Sequence, residues 1–290
     1  MKVKKFISKL ITNILLNISP ILYSKWVYKR TLGKKLNLKN PKEFNEKLMW
    51  LKFNKYYNNP LITKCADKYK VREYIEDCGC KEILNDLIGV YDKADEINWD
   101  KLPQKFALKC NHGAGYNIIC TDKNELDKEQ TIKKLNKWMK EDYSKIAAEL
   151  QYKDIPRKII IEKYLEMGEK KLPTDYKIYC FNGKAKVILV MNDRDTKVTR
   201  EFYNEKWERI HLRDYEGSPK VETKKPENLD DMINYAEKLS KPFEFVRVDF
   251  YDINGKVIFG ELTFTPTGCL AKYTDEVSKM MGDWIKIEGV

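Results

Sequence analysis

Residues 243–264 read F-E-F-V-R-V-D-F-Y-D-I-N-G-K-V-I-F-G-E-L-T-F, two runs of strand-forming residues separated by Asp-Ile-Asn-Gly. That order spells an antiparallel hairpin. A three-residue loop ending on Gly255 in the left-handed region pairs Asp252 with Lys256. Val246, Val248, Phe250, Ile258, Leu262 and Phe264 then make one apolar face, and Arg247, Asp249, Glu261 and Thr263 share the other. A two-residue Asn-Gly loop shifts the pairing by one and sends the two carboxylates to opposite faces, so the alternation argues for the longer loop. Diagonal neighbours on a hairpin lie roughly 7–8 Å apart. At that spacing Asp249 and Glu261 would share one or two Mg²⁺ ions, with substrate phosphates completing the coordination. The competing account is a cross-strand Arg247–Glu261 ion pair beside a solvated Asp249.

A chain of 290 residues is long enough for one large or two modest cores. Its 55 Lys and Arg against 44 Asp and Glu leave a formal charge of +11, which favours anionic partners: nucleotides, acidic glycans, nucleic acid or the cytoplasmic leaflet. The two signs are interspersed and no nucleic-acid-binding motif is present, so no specific nucleic-acid role is expected. Seven cysteines, Cys65, Cys78, Cys80, Cys110, Cys120, Cys180 and Cys269, form no C-x-x-C and are odd in number. That pattern fits a reduced cytoplasmic protein without zinc or a disulfide framework.

The chain opens on a basic, then apolar stretch, K-K-F-I-S-K-L-I-T-N-I-L-L-N-I at 4–18, stopped by Ser19-Pro20. As a helix it would be about 22 Å long, short of the roughly 30 Å hydrocarbon core, and no small-residue cleavage site follows it. Phe6, Leu10, Ile14 and Leu15 share a helical stripe that suits either the inner membrane surface or a helix docked on the domain. Segment 1–30 is set apart on this basis. From Tyr28 to about Leu102 helical patterns alternate with short loops: one helix starts after Asn40-Pro41 and carries Phe44, Leu48, Trp50 and Leu51, and another runs from Asp67 to Cys78, closed by Gly79. Strands follow at Leu84–Val90 and Lys105–Lys109. Leu126, Ile132, Leu135, Trp138, Met139, Ile146 and Leu150 predict a helix over 124–152. Helices early and hairpins late make the chain α+β, divided as 31–102, 103–165 and 166–290.

Three further segments carry chemistry. In K-F-A-L-K-C-N-H-G-A-G-Y-N-I-I-C, residues 105–120, Gly113, Ala114 and Gly115 form an open loop between strands that would close over phosphates, and Lys109 would reach them as a point charge. It is not a Walker loop, because no Gly-Lys-Ser/Thr follows. A plain turn explains it equally, with His112 as a polar turn residue. In D-Y-K-I-Y-C-F-N-G-K-A-K-V-I-L-V-M-N-D-R, residues 175–194, Asn182-Gly183 pairs Phe181 with Lys184. Tyr176, Ile178, Cys180, Val187, Leu189 and Met191 then share an apolar face, and Asp175, Lys177, Asn192 and Arg194 share a face suited to phosphoryl oxygens or to plain solvation. Asp193-Arg194-Asp195 also mimics the D-x-D metal motif of glycosyltransferases. The third segment, I-I-I-E-K-Y-L at 159–165, is an apolar strand ending in a polar break, where main-chain groups would meet an adenine edge and Glu162 a ribose.

Taken in order, these segments resemble the ATP-grasp fold, and more narrowly the TupA-like ATP-grasp family. Flanking stretches L-N-L-K-N-P-K-E-F-N-E-K-L-M-W-L-K at 36–52, A-D-K-Y-K-V-R-E-Y at 66–74 and L-P-Q-K-F-A-L-K-C-N-H-G-A-G at 102–115 strengthen the likeness, which runs from about Tyr28 almost to the C-terminus. The resemblance implies two α+β subdomains clasping ATP, with the glycine hairpin as lid. It places Lys109, Gly113, Ala114 and Gly115 on phosphates, Glu162, Lys163, Tyr164, Leu165 and Asp175 around the nucleotide, and Asp249 and Glu261 on Mg²⁺. Lys177, Arg194 and Arg247 would act at the transferring group. Many ATP-grasp enzymes carry Glu-x-Asn for the metal, whereas Thr263 stands in the third position here, and Thr267-Gly268-Cys269 is poorer in glycine than its counterparts. The implied reaction joins a uronic-acid carboxylate of a cell-surface polysaccharide, or of its sugar-nucleotide precursor, to an amino acid or small amine. The rival is a metal-dependent glycosyltransferase using Asp193-Arg194-Asp195.

Overall fold

The computed structural model describes residues 12, 14–166, 172–194, 197–213 and 222–288. From Pro20 onward four α-helices come first: α1 (Pro20–Leu32), α2 (Phe44–Leu51), α3 (Pro60–Ala66) and α4 (Val71–Asp77). Their starts are set by local chemistry. The Ser19 hydroxyl accepts from the Leu22 amide ahead of Pro20, Asn59 caps α3 ahead of Pro60, and the Glu46 carboxylate accepts from the amides of Lys42 and Glu43. Phe44, Leu48 and Leu51 of α2 are buried in the larger of two apolar cores.

The smaller core lies beneath a four-stranded antiparallel sheet of order β1–β4–β2–β3, built from β1 (Leu87–Tyr91), β2 (Phe106–Cys110), β3 (Asn117–Cys120) and β4 (Ile159–Lys163). Alternation sends Phe106, Leu108, Ile159 and Ile161 to the core, where they meet Leu135 of helix α5 (Lys128–Lys140). Each such burial contributes roughly 1.5–3 kcal/mol. The same alternation turns Lys109 and Glu162 to the other face. Strand β1 thus belongs to this sheet although it lies N-terminal to residue 103.

Helix α5 is shorter than the expected span of 124–152. Glu141 is extended, the Asp142 carboxylate accepts from the Ser144 amide to cap a short 3-10 turn, and Ala147 and Ala148 both adopt φ of 54°. That left-handed break puts Ile146 on the surface at 47% exposure, so the apolar spacing beyond Lys140 reflects loop residues and not a helical stripe.

The larger sheet has six strands in the order β10–β9–β5–β6–β7–β8: β5 (Asp175–Phe181), β6 (Lys184–Asn192), β7 (Thr199–Tyr203), β8 (Arg209–Ile210), β9 (Phe245–Ile253) and β10 (Lys256–Thr263). Helices α6 (Leu229–Ser240) and α7 (Asp275–Trp284) complete its core. The β9–β10 turn is the two-residue Asn254-Gly255, with Ile253 opposite Lys256, not the three-residue loop that alternation favoured. Both residues have positive φ, 53° and 78°, as the mirror-image tight turn requires. A β-bulge then restores the parity. Phe259 pairs with Phe250 and Glu261 with Asp249, so Gly260 is the extra residue and the carboxylates return to one face. A Cβ there would sit tightly, 3.0 Å from the Asp249 carbonyl oxygen, which favours glycine. Ile258 in consequence faces with Tyr251, and Val257 and Phe259 are buried in its place.

Hairpin β5–β6 has the expected Asn182-Gly183 turn and Phe181–Lys184 pair, followed by its own bulge at Lys186. The shift sets Ile188 and Val190, instead of Val187, Leu189 and Met191, beside Tyr176 and Ile178. It also moves Asn192 away from Lys177, to where the Thr174 hydroxyl donates to its side-chain oxygen at 2.8 Å. All seven cysteines are free thiols. Of the N-terminal stripe, Phe6 and Leu10 lie outside the described residues, while Ile14 is 48% exposed. Among the described residues no helix is long and apolar enough to cross a membrane.

Candidate active site

Pairing across three adjacent strands brings the charged residues together. Lys177 of β5 lies opposite Asp249 of β9, which lies opposite Glu261 of β10, and Tyr179, Arg247 and Thr263 form the next row. Arg247 grips Asp249 with both arms of its fork, Nε to Oδ1 at 2.6 Å and Nη2 to Oδ2 at 2.7 Å, and reaches Glu261 Oε1 at 3.1 Å. Lys177 Nζ sits 2.5 Å from Asp249 and 2.7 Å from Asp175. The Thr263 hydroxyl donates to Glu261 at 3.0 Å and accepts from Arg247 at 3.1 Å. The Arg247–Glu261 pair of the competing account is therefore real, but Asp249 is buried at 2% exposure and not solvated.

Burial pushes both carboxyls up. For Asp249 it acts against the pull of Arg247 and Lys177. For Glu261, Lys68, Arg247 and Lys177 outweigh it and hold the group down to about 2. Glu261, its carboxyl held low, beside Asp249 is a hard-oxygen donor pair of the kind Mg²⁺ takes. Asp175 adds a buried oxygen, Oδ1, without a hydrogen-bond partner among the described residues. The residues present thus fit a divalent cation. No group of three His, Cys, Asp or Glu in the described residues would hold one alone, so phosphate and water would supply the remaining ligands. Thr263 commits its hydroxyl to Glu261, which favours a supporting position over direct ligation.

Across from this face stands the four-stranded sheet, and a cavity of about 150 Å³ separates the two. Its walls include Lys109, Glu162 and the run Lys163–Tyr164–Leu165 from one side and Arg194, Tyr251 and Phe259 from the other. Lys109 Nζ pairs with Glu162 at 2.5 Å. The Lys163 main chain is already engaged, its amide on the Asp86 carbonyl and its carbonyl on the Asn85 side chain. Arg194 lies 3.7 Å from Asp175 and over the Tyr251 ring at 5.8 Å. Asp193 is exposed with φ of 51°, and Asp195 lies outside the described residues.

The glycine loop is held from beneath. Asn111 donates to Asp67 at 2.7 Å and to the Pro156 carbonyl at 2.9 Å, and accepts from the Lys158 amide at 2.7 Å. Gly113 is buried, with no room for a Cβ beside Tyr143, whereas Ala114 and Gly115 are exposed above it. His112 lies in the turn and is buried there, its Nε2 3.1 Å from the Trp138 carbonyl; burial lowers its basicity. Sequence reading missed Lys68, whose Nζ donates to the Gly113 carbonyl at 2.5 Å. It also missed a buried chain in which Gln151 donates to Thr265 and Thr265 to Glu149, with the buried ammonium of Lys52 on the Ala147 carbonyl at 2.6 Å. The only signal was the A-D-K-Y-K-V-R-E-Y stretch around Lys68, whose charges resemble those of any helix start.

The chain matches the family model described as TupA-like ATPgrasp over residues 46–286. No curated protein matches it. Among solved structures it is similar to D-alanine–D-alanine ligase from Bacillus anthracis complexed with ATP, at 18% identity and TM-score 0.46, over 77% of this chain and 65% of that one. The D-alanine–D-alanine ligase from Helicobacter pylori is similar at 14% identity and TM-score 0.46, over 86% and 70%. An L-amino acid ligase from Bacillus licheniformis is similar at 12% identity and TM-score 0.42, over 69% and 43%. The chain spans just under two thirds of the first of these structures.

Proposed function

The chain belongs to the TupA-like ATP-grasp family and has an α+β ATP-grasp fold, and from that premise we propose that it is an ATP- and Mg²⁺-dependent ligase joining a carboxylate to an amine through an acyl phosphate. The observation that carries the proposal is the placement of Asp249 and Glu261 directly opposite each other, on the sheet face whose Tyr251 lines the cavity that also holds Lys109, Glu162 and Arg194. Mg²⁺ at these carboxylates would neutralise phosphate charge. Lys109 binds phosphate oxygens as a point charge, with Gly113, Ala114 and Gly115 closing above it. Tyr164 and Leu165 receive the base and Glu162 the ribose. Arg247 and Lys177 orient Asp249 and present N–H donors to the transferring group, and Arg194 offers a second fork beside Asp175. Phosphoryl transfer asks the protein chiefly for such positioning and charge. Holding carboxylate and amine in attack geometry is worth on the order of 7–11 kcal/mol of the barrier, and loop closure keeps water from the acyl phosphate.

The acceptor in this reading is a uronic-acid carboxylate of a capsular or other cell-surface polysaccharide, or of its sugar-nucleotide precursor, and the donor an amino acid or small amine. The formal charge of +11 supports an anionic acceptor. Exposed Ile14, Ile18, Ile21 and Leu22, with Lys25 and Lys29 exposed alongside, support attachment at the inner membrane surface. Thermal stabilisation tests the reading: Mg²⁺-ATP raises the melting temperature and UDP-sugars with Mn²⁺ do not. A shift with a nucleotide sugar alone, lost in Asp193→Ala, would replace the ligase by a glycosyltransferase.

A further inference from the structure

The segment that returns the chain from α5 to β4 carries buried polar side chains that take no part in the proposed chemistry. Near its start Tyr143 packs on the glycine loop, so closely that a Cβ on Gly113 would lie 2.5 Å from its ring. The Tyr152 ring meets Tyr143 edge to face at 5.0 Å and lines a small cavity together with Gly260 and Glu261. Between the two tyrosines, Glu149 and Gln151 are buried against Thr265. Gln151 Nε2 donates to the Thr265 hydroxyl at 2.9 Å, and that hydroxyl donates to the Glu149 carboxylate. Thr265 stands two residues beyond Thr263, whose own hydroxyl holds Glu261 at 3.0 Å. One short segment thus meets the glycine loop at one end and the strand of Glu261 at the other.

The backbone of this joint is as particular as its side chains. Ala147 and Ala148 have φ of 54°, Thr267, Gly268 and Cys269 have φ of 55°, 61° and 61°, and a Cβ on Gly268 would lie 3.3 Å from the Ala147 methyl. Left-handed residues other than glycine persist where their surroundings over-determine them. The buried Lys52 ammonium fastens the same place by donating to the Ala147 carbonyl at 2.6 Å. Burial opposes the charge of Glu149, while the Thr265 hydroxyl and Lys52 favour it.

Resting on the ligase reading, we propose that Glu149 is a positioning residue that clamps segment 143–152 onto Thr265 and so holds the glycine loop in register with the carboxylates of the metal site. It acts through Thr265 on one side and through Tyr143 and Gly113 on the other. A misplacement of about 1 Å between reacting groups can cost on the order of a hundredfold in rate, which is what such a clamp prevents.

Titration calorimetry of the full chain with the non-hydrolysable analogue AMP-PNP, in Mg²⁺ and in EDTA, separates this role from packing. In Glu149→Leu the gain in affinity that Mg²⁺ brings should fall about tenfold while the affinity in EDTA stays within about twofold. Glu149→Gln, whose amide oxygen still accepts from Thr265, should keep most of the gain. Thr265→Val should lose as much as Glu149→Leu, and the double variant no more than either, because each removes the same link. An unchanged gain in Glu149→Leu, losses that add in the double variant, or equal losses in Mg²⁺ and in EDTA would each overturn the inference. Should Glu149→Leu lose its thermal transition, Thr265→Val against Thr265→Ser, which keeps the hydroxyl, is read in the same way. Wild-type protein that gains nothing from Mg²⁺ would overturn the ligase reading itself, a failure distinct from any difference between variants.

Discussion

The two hairpins of the six-stranded sheet begin alike and end differently. Each turns on Asn-Gly with positive φ at both residues, and each carries a bulge in its second strand. In β5–β6 the extra residue is Lys186, three residues past the turn, exposed and lying over the Trp284 ring at 5.6 Å. There the bulge redistributes apolar side chains between the two faces and turns Asn192 away from Lys177. In β9–β10 the extra residue is Gly260, five residues past the turn and directly before Glu261. There it decides whether two carboxylates meet. A tight turn sets register at the loop, and a bulge resets it downstream, so the bulge nearest the site governs chemistry while the one nearest the turn governs packing.

The strongest way to break the contrast is to empty the face the second bulge creates. Asp249→Ala leaves Arg247 and Lys177 buried without their shared carboxylate, which should cost about 3–5 kcal/mol in urea unfolding and abolish Mg²⁺-ATP binding. Next comes the bulge itself. Gly260→Val drives a side chain against the Asp249 carbonyl and should cost roughly 1–3 kcal/mol, and it should also lose nucleotide affinity because Glu261 is displaced. A stability loss with affinity intact would contradict the role given to this bulge. The turns sharpen the comparison at smaller magnitude. Gly183→Ala and Gly255→Ala both place a side chain in the left-handed region at about 1–2 kcal/mol, but a Cβ at 183 would meet Lys241 at 3.3 Å whereas 255 opens on empty space. Gly183→Ala should therefore be the more costly, and neither should change Mg²⁺-ATP affinity.

The smallest effect is electrostatic. The Glu261 carboxyl is depressed from 4.5 to about 2 in the folded protein. The stabilisation is complete above the unfolded value and is lost as pH falls through the folded one, so it should fade between pH 4.5 and 2. A side chain 35% exposed keeps this below the glycine effects through solvent screening. Urea midpoints across that window should fall further in wild type than in Glu261→Gln.

Much of this was legible in the chain. Asn-Gly turns, alternation and the Pro60 helix start are local signals, and they identify the strands and the companionship of Arg247, Asp249, Glu261 and Thr263. The turn at 254–255 was misjudged because parity was carried unbroken from loop to carboxylate. A single glycine in F-G-E looks like a weak strand residue, and nothing local marks it as a register shift. Asn192 was misplaced for the same reason, by the bulge at Lys186. The apolar spacing of Ile146 and Leu150 continued a helix that ends at Lys140, where Glu141 is extended. Lys68, Glu149 and Thr265 were invisible because their partners are 45 to 116 residues away.

The most direct test of the carboxylate pair is the Mg²⁺ dependence of ATP affinity, measured by calorimetry with Mg²⁺ and with EDTA, on wild type and on Glu261→Ala. The account predicts a clear gain with Mg²⁺ in wild type and none in the variant. A variant that keeps the full gain, or a wild type indifferent to Mg²⁺, would contradict the assignment of Asp249 and Glu261 as the metal site.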